Sequence, residues 1–305
     1  MVYPDLGAAA ADARRLAEAM TSKMAVTGLP MGGGKSVIAL PAPRADLDDA
    51  TWHRILDLHA SNLRILGGNY WTGPDVGASS ADMDRLRTRT AYVFGRSAEA
   101  GGPGSSAEET AVGVFAALLA AAREAGIDDL AGRRVLVQGL GAVGARVAEF
   151  AREAGATLLV TDVDDRRCAP FVAAGAEQVD TAAVLSTGCD ILVPCATGGL
   201  LTAETARTVP CAVVAGAANN VLADDDAAGL LAERGIVYAP DFVANAGGAI
   251  HLVGREVLGW SAEEVHARSR KIGDTVGRIV KEARAQGVST ETAARPLAMH
   301  GLAAG

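Results

Sequence analysis

The feature that most constrains this chain is a strand, a glycine turn and a helix in immediate succession. Arg133-Arg-Val-Leu-Val-Gln138 predicts a strand, Gly139-Leu-Gly-Ala-Val-Gly144 fits G-x-G-x-x-G, and residues 142–154 predict a helix. A second strand, Thr157–Thr161, ends at Asp162, 23 residues after Gly139. In such a unit Gly139 permits the tight turn, Gly141 lets the backbone approach a pyrophosphate, and Gly144 lets the helix pack closely on the strand. Leu140, Ala142 and Val143 complete the loop. The helix N-terminus offers free N–H groups to phosphate oxygens. Asp162 would accept hydrogen bonds from ribose hydroxyls and repel a 2′-phosphate, so the expected cofactor is NAD; Arg166 and Arg167 follow and would tolerate that phosphate. The alternative, a glycine-rich turn without a ligand, has strand, helix and acid against it.

Further β-type segments at Ile191–Pro194, Ala212–Ala215 and Val237–Ala239 continue the alternation. That pattern predicts an α/β fold with a parallel sheet covered on both faces. Apolar periodicity predicts helices over 7–22, 47–66, 79–88, 107–125 and, as one long element, 261–286, with a helical or frayed tail at 290–305. Ser36–Leu40 reads as a strand opened by Lys35 and stopped by Pro41; 98–106 reads as a linker. A length of 305 residues suits two domains. The division expected is 1–108, a catalytic and oligomerisation domain completed by a C-terminal helix at 286–305, and 109–285, a Rossmann domain, with the active site in the cleft between them.

The bulk properties exclude several classes. The formal charge is −8 and no concentrated basic stripe is present, which argues against a nucleic-acid partner. No apolar run reaches the roughly 20 residues of a membrane helix. The four cysteines form no C-x-x-C pair and the five histidines lack ligand spacing, so no metal site is expected. Scattered thiols and an N-terminus without signal-peptide character suit a cytoplasmic protein.

Met31-Gly-Gly-Gly-Lys35-Ser36 invites a P-loop reading but has Leu29 where that motif needs glycine, and Lys35 opens a strand rather than a helix. Its glycines instead suit close backbone approach to a ligand. Lys23 lies 12 residues earlier. Two lysines sharing a pocket depress each other's pKa, which suits one to act as a general base while the other holds a carboxylate. Asp75 sits in the Gly/Pro turn Thr72-Gly-Pro-Asp-Val-Gly77, a usual place for a catalytic group. From these residues alone, two surface lysines and a turn-forming aspartate remain an equal reading.

Lys23-Met-Ala-Val, Leu29-Pro-Met-Gly-Gly-Gly-Lys-Ser, Tyr70-Trp-Thr-Gly-Pro-Asp-Val, Ser80-Ala-Asp-Met-Asp, Gly216-Ala-Ala-Asn-Asn and Ala239-Pro-Asp-Phe-Val-Ala-Asn-Ala-Gly-Gly together resemble the glutamate/leucine/phenylalanine/valine dehydrogenases over nearly the whole chain, phenylalanine dehydrogenases of actinobacteria most. The resemblance implies a homo-oligomeric enzyme that oxidatively deaminates a neutral L-amino acid with NAD, phenylalanine first, then leucine or valine. It implies that Lys23 binds the substrate carboxylate, Lys35 is the catalytic lysine and Asp75 its proton-shuttling partner. It places Thr110, the Cys195-Ala196-Thr197 loop, Ala217 and Asn219 at the cofactor, Asn219 and Asn245 beside the substrate, and Met20, Ala249, Leu252 and Val253 near its side chain. It also implies a preceding segment of about 40 residues that supplies sheet strands and a pocket wall, without which a bare strand edge would be a liability. A start site lying upstream is the expected explanation; a truncated, non-catalytic homologue and a partner chain that completes the sheet are the alternatives. A 2-hydroxyacid dehydrogenase is a weaker rival, because that chemistry usually wants a His–acid pair.

Overall fold

The computed structural model describes residues 1–224 and 226–303, the side chains of 297–303 excepted. Helix α1, Leu6–Thr27, is started by Asp5, whose Oδ1 accepts from Ala8 N–H at 2.7 Å, and stopped by Gly28 at φ 66°. It runs on past the predicted end and so carries Met20, Lys23 and Met24 on one stretch of surface, since positions three and four apart stack on one face. Helices α2 (Asp49–Ile65) and α3 (Ser80–Arg87) build a separate small core from Trp52, Leu56, Leu63, Met83 and Leu86. The indole of Trp52 donates to Asp82 at 2.7 Å, and Asp82 also closes the capping box with Ser79 that starts α3.

Helix α4 (Ala107–Glu124) leads into a parallel sheet of β1 (Arg134–Gln138), β2 (Thr157–Thr161), β3 (Glu177–Gln178), β4 (Ile191–Pro194), β5 (Val213–Val214) and β6 (Val237–Tyr238). The order is β3-β2-β1-β4-β5-β6, the doubly wound arrangement, with Val135 opposite both Leu158 and Ile191. Helices α5 (Ala142–Glu153), α6 (Asp165–Ala173), α7 (Ala203–Ala206) and α8 (Ala227–Glu233) are the crossovers. Val135, Val137, Ile191 and Val193 point into one core and Leu136, Leu159 and Leu192 into the other, which is why these strands read as unbroken apolar runs. After the sheet come α9 (Asp241–Ala244), α10 (Gly247–Glu256), α11 (Ala262–Arg270), α12 (Ile272–Gln286) and α13 (Thr290–Ala303). Helix α12 packs along α4, and α13 lies against both α1 and α12.

Three expectations are corrected. Residues 35–40 form no strand: among the described residues their backbone pairs only with Met1, whose amino group donates to Ile38 O at 3.1 Å and whose carbonyl accepts from Leu40 N–H at 2.8 Å. Without a ladder, β-prone residues make no sheet, and among the described residues the β content before α4 is one parallel bridge, Thr72 to Val93. The long helix over 261–286 is two helices meeting at Lys271. Helix α11 packs on α10 and α4 whereas α12 packs on α4 and α13, and a straight rod does not reach both; the buried Ser269, bonded back to Val265 O at 3.0 Å, supports the bend. The strands expected at 212–215 and 237–239 shorten to two residues each.

Candidate active site

The loop between β1 and α5 is built as its glycines require. Gly139 stands at φ 90°, and a Cβ there would lie 2.7 Å from the Cβ of Ala196. A Cβ on Gly144 would overlap the Gly139 carbonyl, whereas one on Gly141 would meet nothing within 4 Å. That open side of Gly141, and an α5 N-terminus that no side chain caps, leave room and N–H donors for a pyrophosphate. Ala142 is exposed and Val143 half-buried beside them, and Ala196 and Thr197, on the loop after β4, are exposed across the glycines. Cys195 is half-buried against Gly144, its N–H donating to Gln138 O at 2.7 Å, and burial pushes its thiol up to about 12, which makes it an inert wall.

Asp162 closes this half. Its Oδ2 accepts from Leu140 N–H at 2.7 Å and its Oδ1 from Asp164 N–H at 2.9 Å. Burial works to raise its pKa, but these two N–H groups and Arg167 outweigh it and hold the carboxylate below its usual range. Arg166 is engaged by both oxygens of Asp164 at 2.8 and 2.9 Å, and Arg167 reaches Asp162 at 3.4 Å. Both arginines are therefore turned to carboxylates, and the pocket fits NAD.

The opposite wall is α1 with the glycine run. A Cβ on Gly33 would overlap Thr21 N and Ala17 O, and one on Gly34 would lie 2.7 Å from the ring of Tyr70. The chain thus presses onto the α1 backbone and delivers Lys35 to the level of Lys23. Lys35 Nζ pairs with Asp75 Oδ2, and Asp75 Oδ1 accepts from Val76 N–H at 2.7 Å. Burial works to raise Asp75, yet Lys35, the Val76 N–H and Lys23 together hold it below the usual carboxylate range. Lys23 is lowered, chiefly by burial and then by the charge of Lys35, against the opposing charges of Asp241 and Asp75.

Asparagines join the two walls. Asn219 Oδ1 accepts from Lys23 Nζ at 3.3 Å and from Asn245 Nδ2 at 2.8 Å. Asn245 also donates to Ala217 O at 3.2 Å, and its own Oδ1 is buried with no hydrogen-bond partner among the described residues. Thr110 Oγ1 donates to Ser106 O at 2.9 Å, and a Cβ on Gly248 would lie 3.0 Å from it, so Thr110 stands at the start of α10. Beside them is an apolar patch of Met24, Leu29 and Val253 flanked by Met20, Met31 and Ala249. Leu252 is half-buried but outside this cluster. Met24, Met31 and Asp241 were not singled out from sequence; the four-residue spacing of Met20 and Met24 and the Pro-Met-Gly-Gly-Gly run were the available signals.

A doubly wound dinucleotide fold that faces a pair of lysines and an aspartate defines a nicotinamide-dependent dehydrogenase. The chain belongs to the Glu/Leu/Phe/Val dehydrogenase family: the model for glutamate/leucine/phenylalanine/valine dehydrogenase matches residues 101–169 and 160–304, and that for the family's dimerisation domain matches 4–92. It is 39% identical to leucine dehydrogenase of Thermoactinomyces intermedius over 94% of this chain and 77% of that protein, and 39% identical to valine dehydrogenase of Streptomyces virginiae over 95% and 81%. The crystal structure of L-tryptophan dehydrogenase from Nostoc punctiforme superposes with a TM-score of 0.85 at 33% identity, covering 98% of this chain and 84% of that one. The protein is an NAD-dependent amino acid dehydrogenase.

Proposed function

We propose that the enzyme oxidatively deaminates a neutral, apolar L-amino acid to its 2-oxo acid and ammonia, reversibly. The observation that carries this reading is the Lys23–Asn219–Asn245 bridge, which sets a cation for a carboxylate beside an apolar patch of Met20, Met24, Leu29, Met31 and Val253. NAD, held by the Gly139–Gly144 loop and Asp162, would supply the acceptor for the hydride that leaves the substrate Cα. The protein's residues do the rest. Lys23 fixes the carboxylate and so orients the Cα. Lys35, paired with Asp75, activates the water that adds to the iminium carbon and stabilises the developing charge on oxygen. Asp75, held ionised, takes and returns the proton as the carbinolamine forms and collapses. The buried Oδ1 of Asn245, without a hydrogen-bond partner among the described residues, is an acceptor where substrate and nicotinamide would meet.

For the side chain, the methionine-rich patch favours a large flexible apolar group over a charged one. Relatives carry leucine, valine and tryptophan in their names, so leucine replaces phenylalanine as the first substrate to test. We infer further that the domains divide near residue 108, with α13 returning to α1, and that copies of the chain associate through residues 4–92, where Leu58 and Ile65 of α2 stand 68% and 83% exposed. A cytoplasmic setting agrees with four free cysteines; among the described residues no helix is long and apolar enough to cross a membrane.

The test is NADH formation with leucine, valine, phenylalanine, tryptophan and glutamate. Turnover of one or more neutral amino acids and none of glutamate is expected, and Lys35→Ala abolishes it while NAD still binds. No turnover with any of the five sinks the reading, and near-normal rates in Lys35→Ala refute that residue's role.

A further inference from the structure

The turn that carries Asn219 is held from two sides. On one side it rests on glycines: a Cβ on Gly198 would overlap Asn219 O, Gly199 N–H donates to Asn220 O at 2.7 Å, and Leu201 N–H donates to Val221 O at 3.0 Å. Asn220 itself stands at φ 53°, a left-handed conformation that needs support from its surroundings. On the other side is a carboxylate. Asp241, in the first turn of α9, accepts from Val221 N–H through Oδ2 at 2.9 Å.

Asp241 is half-buried and takes no part in the Lys35–Asp75 pair. Burial pushes its carboxyl up, and the N–H groups of Val221, Phe242 and Asn220, with the charge of Lys23, pull against that. Its own charge is the largest influence opposing the burial that lowers Lys23. One carboxylate therefore grips the backbone next to Asn219 and sets a negative charge behind the lysine that Asn219 touches.

We propose that Asp241 is a positioning residue for the substrate carboxylate: it clasps the Asn219–Val221 turn so that Asn219 stays bridged between Lys23 and Asn245. This rests on the reading of Lys23 as the carboxylate anchor. Among the described residues the Asp241 carboxylate makes no hydrogen bond to Lys23 or Asn245; its backbone carbonyl accepts from Asn245 N–H at 2.9 Å at the end of α9, and the side chain acts through the turn and through its charge.

The experiment compares full-length wild type with Asp241→Asn, Asp241→Ala and Asp241→Glu, by steady-state kinetics in leucine and NAD and by hydrogen–deuterium exchange of the peptide over 217–222. Asparagine keeps an acceptor for Val221 N–H and loses the charge; alanine loses both; glutamate keeps the charge and displaces the clasp. The expected result is a leucine KM raised about threefold in Asp241→Asn and at least about tenfold in Asp241→Ala, with the KM for NAD within about twofold of wild type. Exchange over 217–222 should accelerate in Asp241→Ala and stay near wild type in Asp241→Asn. An unchanged leucine KM in Asp241→Ala, or equal rises for leucine and NAD, overturns the proposal. Where Asp241→Ala does not fold, Asp241→Glu decides in the same way: a raised leucine KM supports the clasp and an unchanged one overturns it. If wild type turns over no amino acid, the functional reading has failed, and exchange alone judges the clasp: no acceleration in Asp241→Ala, or in Asp241→Glu where alanine does not fold, overturns it.

Discussion

Gly33 lies against the backbone of Thr21, with no room for a side chain between the glycine run and α1. Lys35 is two residues further on, so this contact sets how far the lysine proposed as catalytic reaches. Gly33→Ala must push the run off the helix, because backbone on both sides cannot move aside as a flexible side chain would. A shift of about 1 Å at Lys35 should cost on the order of 100-fold in kcat/KM. Steady-state kinetics check this, with circular dichroism to show that α1 remains folded; wild-type activity would remove Gly33 from the argument.

The role proposed for Lys23, anchoring the substrate carboxylate, makes substrate affinity depend on pH. Lys23 must be protonated to hold a carboxylate, and burial lowers its pKa below the ordinary lysine value of 10.5. The protonated form is therefore lost earlier as pH rises than in an exposed lysine. The expected outcome is an amino acid KM that climbs on the alkaline side before ordinary lysine titration, while the KM for NAD stays flat. Lys23→Arg, whose guanidinium does not titrate in this range, should flatten the climb. A KM profile that is flat in wild type, or equally steep in Lys23→Arg, would contradict the assignment.

We attribute coenzyme choice to Asp162. Its carboxylate is fixed by the N–H groups of Leu140 and Asp164 and occupies Arg167. Asp162→Ser removes the acceptor for ribose hydroxyls and frees Arg167 for a 2′-phosphate. The ratio of kcat/KM for NAD over NADP should fall about 100-fold, through loss with one coenzyme and gain with the other. Measurement of both coenzymes at fixed amino acid decides it, and an unchanged ratio would place the ribose elsewhere.

The nucleotide half of this site was legible because its chemistry is local. Strand, glycines, helix and acid follow one another in sequence, and each glycine has its own steric reason. The lysine half was not legible from residues alone. Nothing near Lys35 shows that Gly33 presses on Thr21, or that Asn219 reaches Lys23 from the far side of the chain. Only the family's motif order brought Lys23, Lys35 and Asp75 together. The strand expected at Ser36–Leu40 shows the limit of propensity, since its residues favour β-structure but, among the described residues, their backbone finds only Met1 to pair with. The bend at Lys271 was hidden for a similar reason: α11 and α12 continue one amphipathic pattern, and only their different packing partners separate them. Asp241 lay inside a quoted motif, yet its grip on Val221 N–H is a tertiary contact that no spacing announces.

A last prediction concerns stability. Glu291, near the start of α13, is pushed up to about 7, first by burial and then by the charge of Asp241, with Arg295 opposing. The unfolded chain returns it to its ordinary value of 4.5. The folded state thus binds the proton more tightly, so the stability this group contributes is fully present below about pH 4.5 and is lost as pH rises through about 7. At pH 8 the folded protein carries a partly buried charge beside a second carboxylate. Glu291→Gln removes that charge and keeps a polar side chain of the same shape. Allowing for solvent screening of a partly exposed group, the variant should be more stable by on the order of 1–2 kcal/mol at pH 8 and equal to wild type at pH 4.5. Urea unfolding at the two pH values measures it. A gain of the same size at both would show that packing, and not ionisation, separates the two proteins.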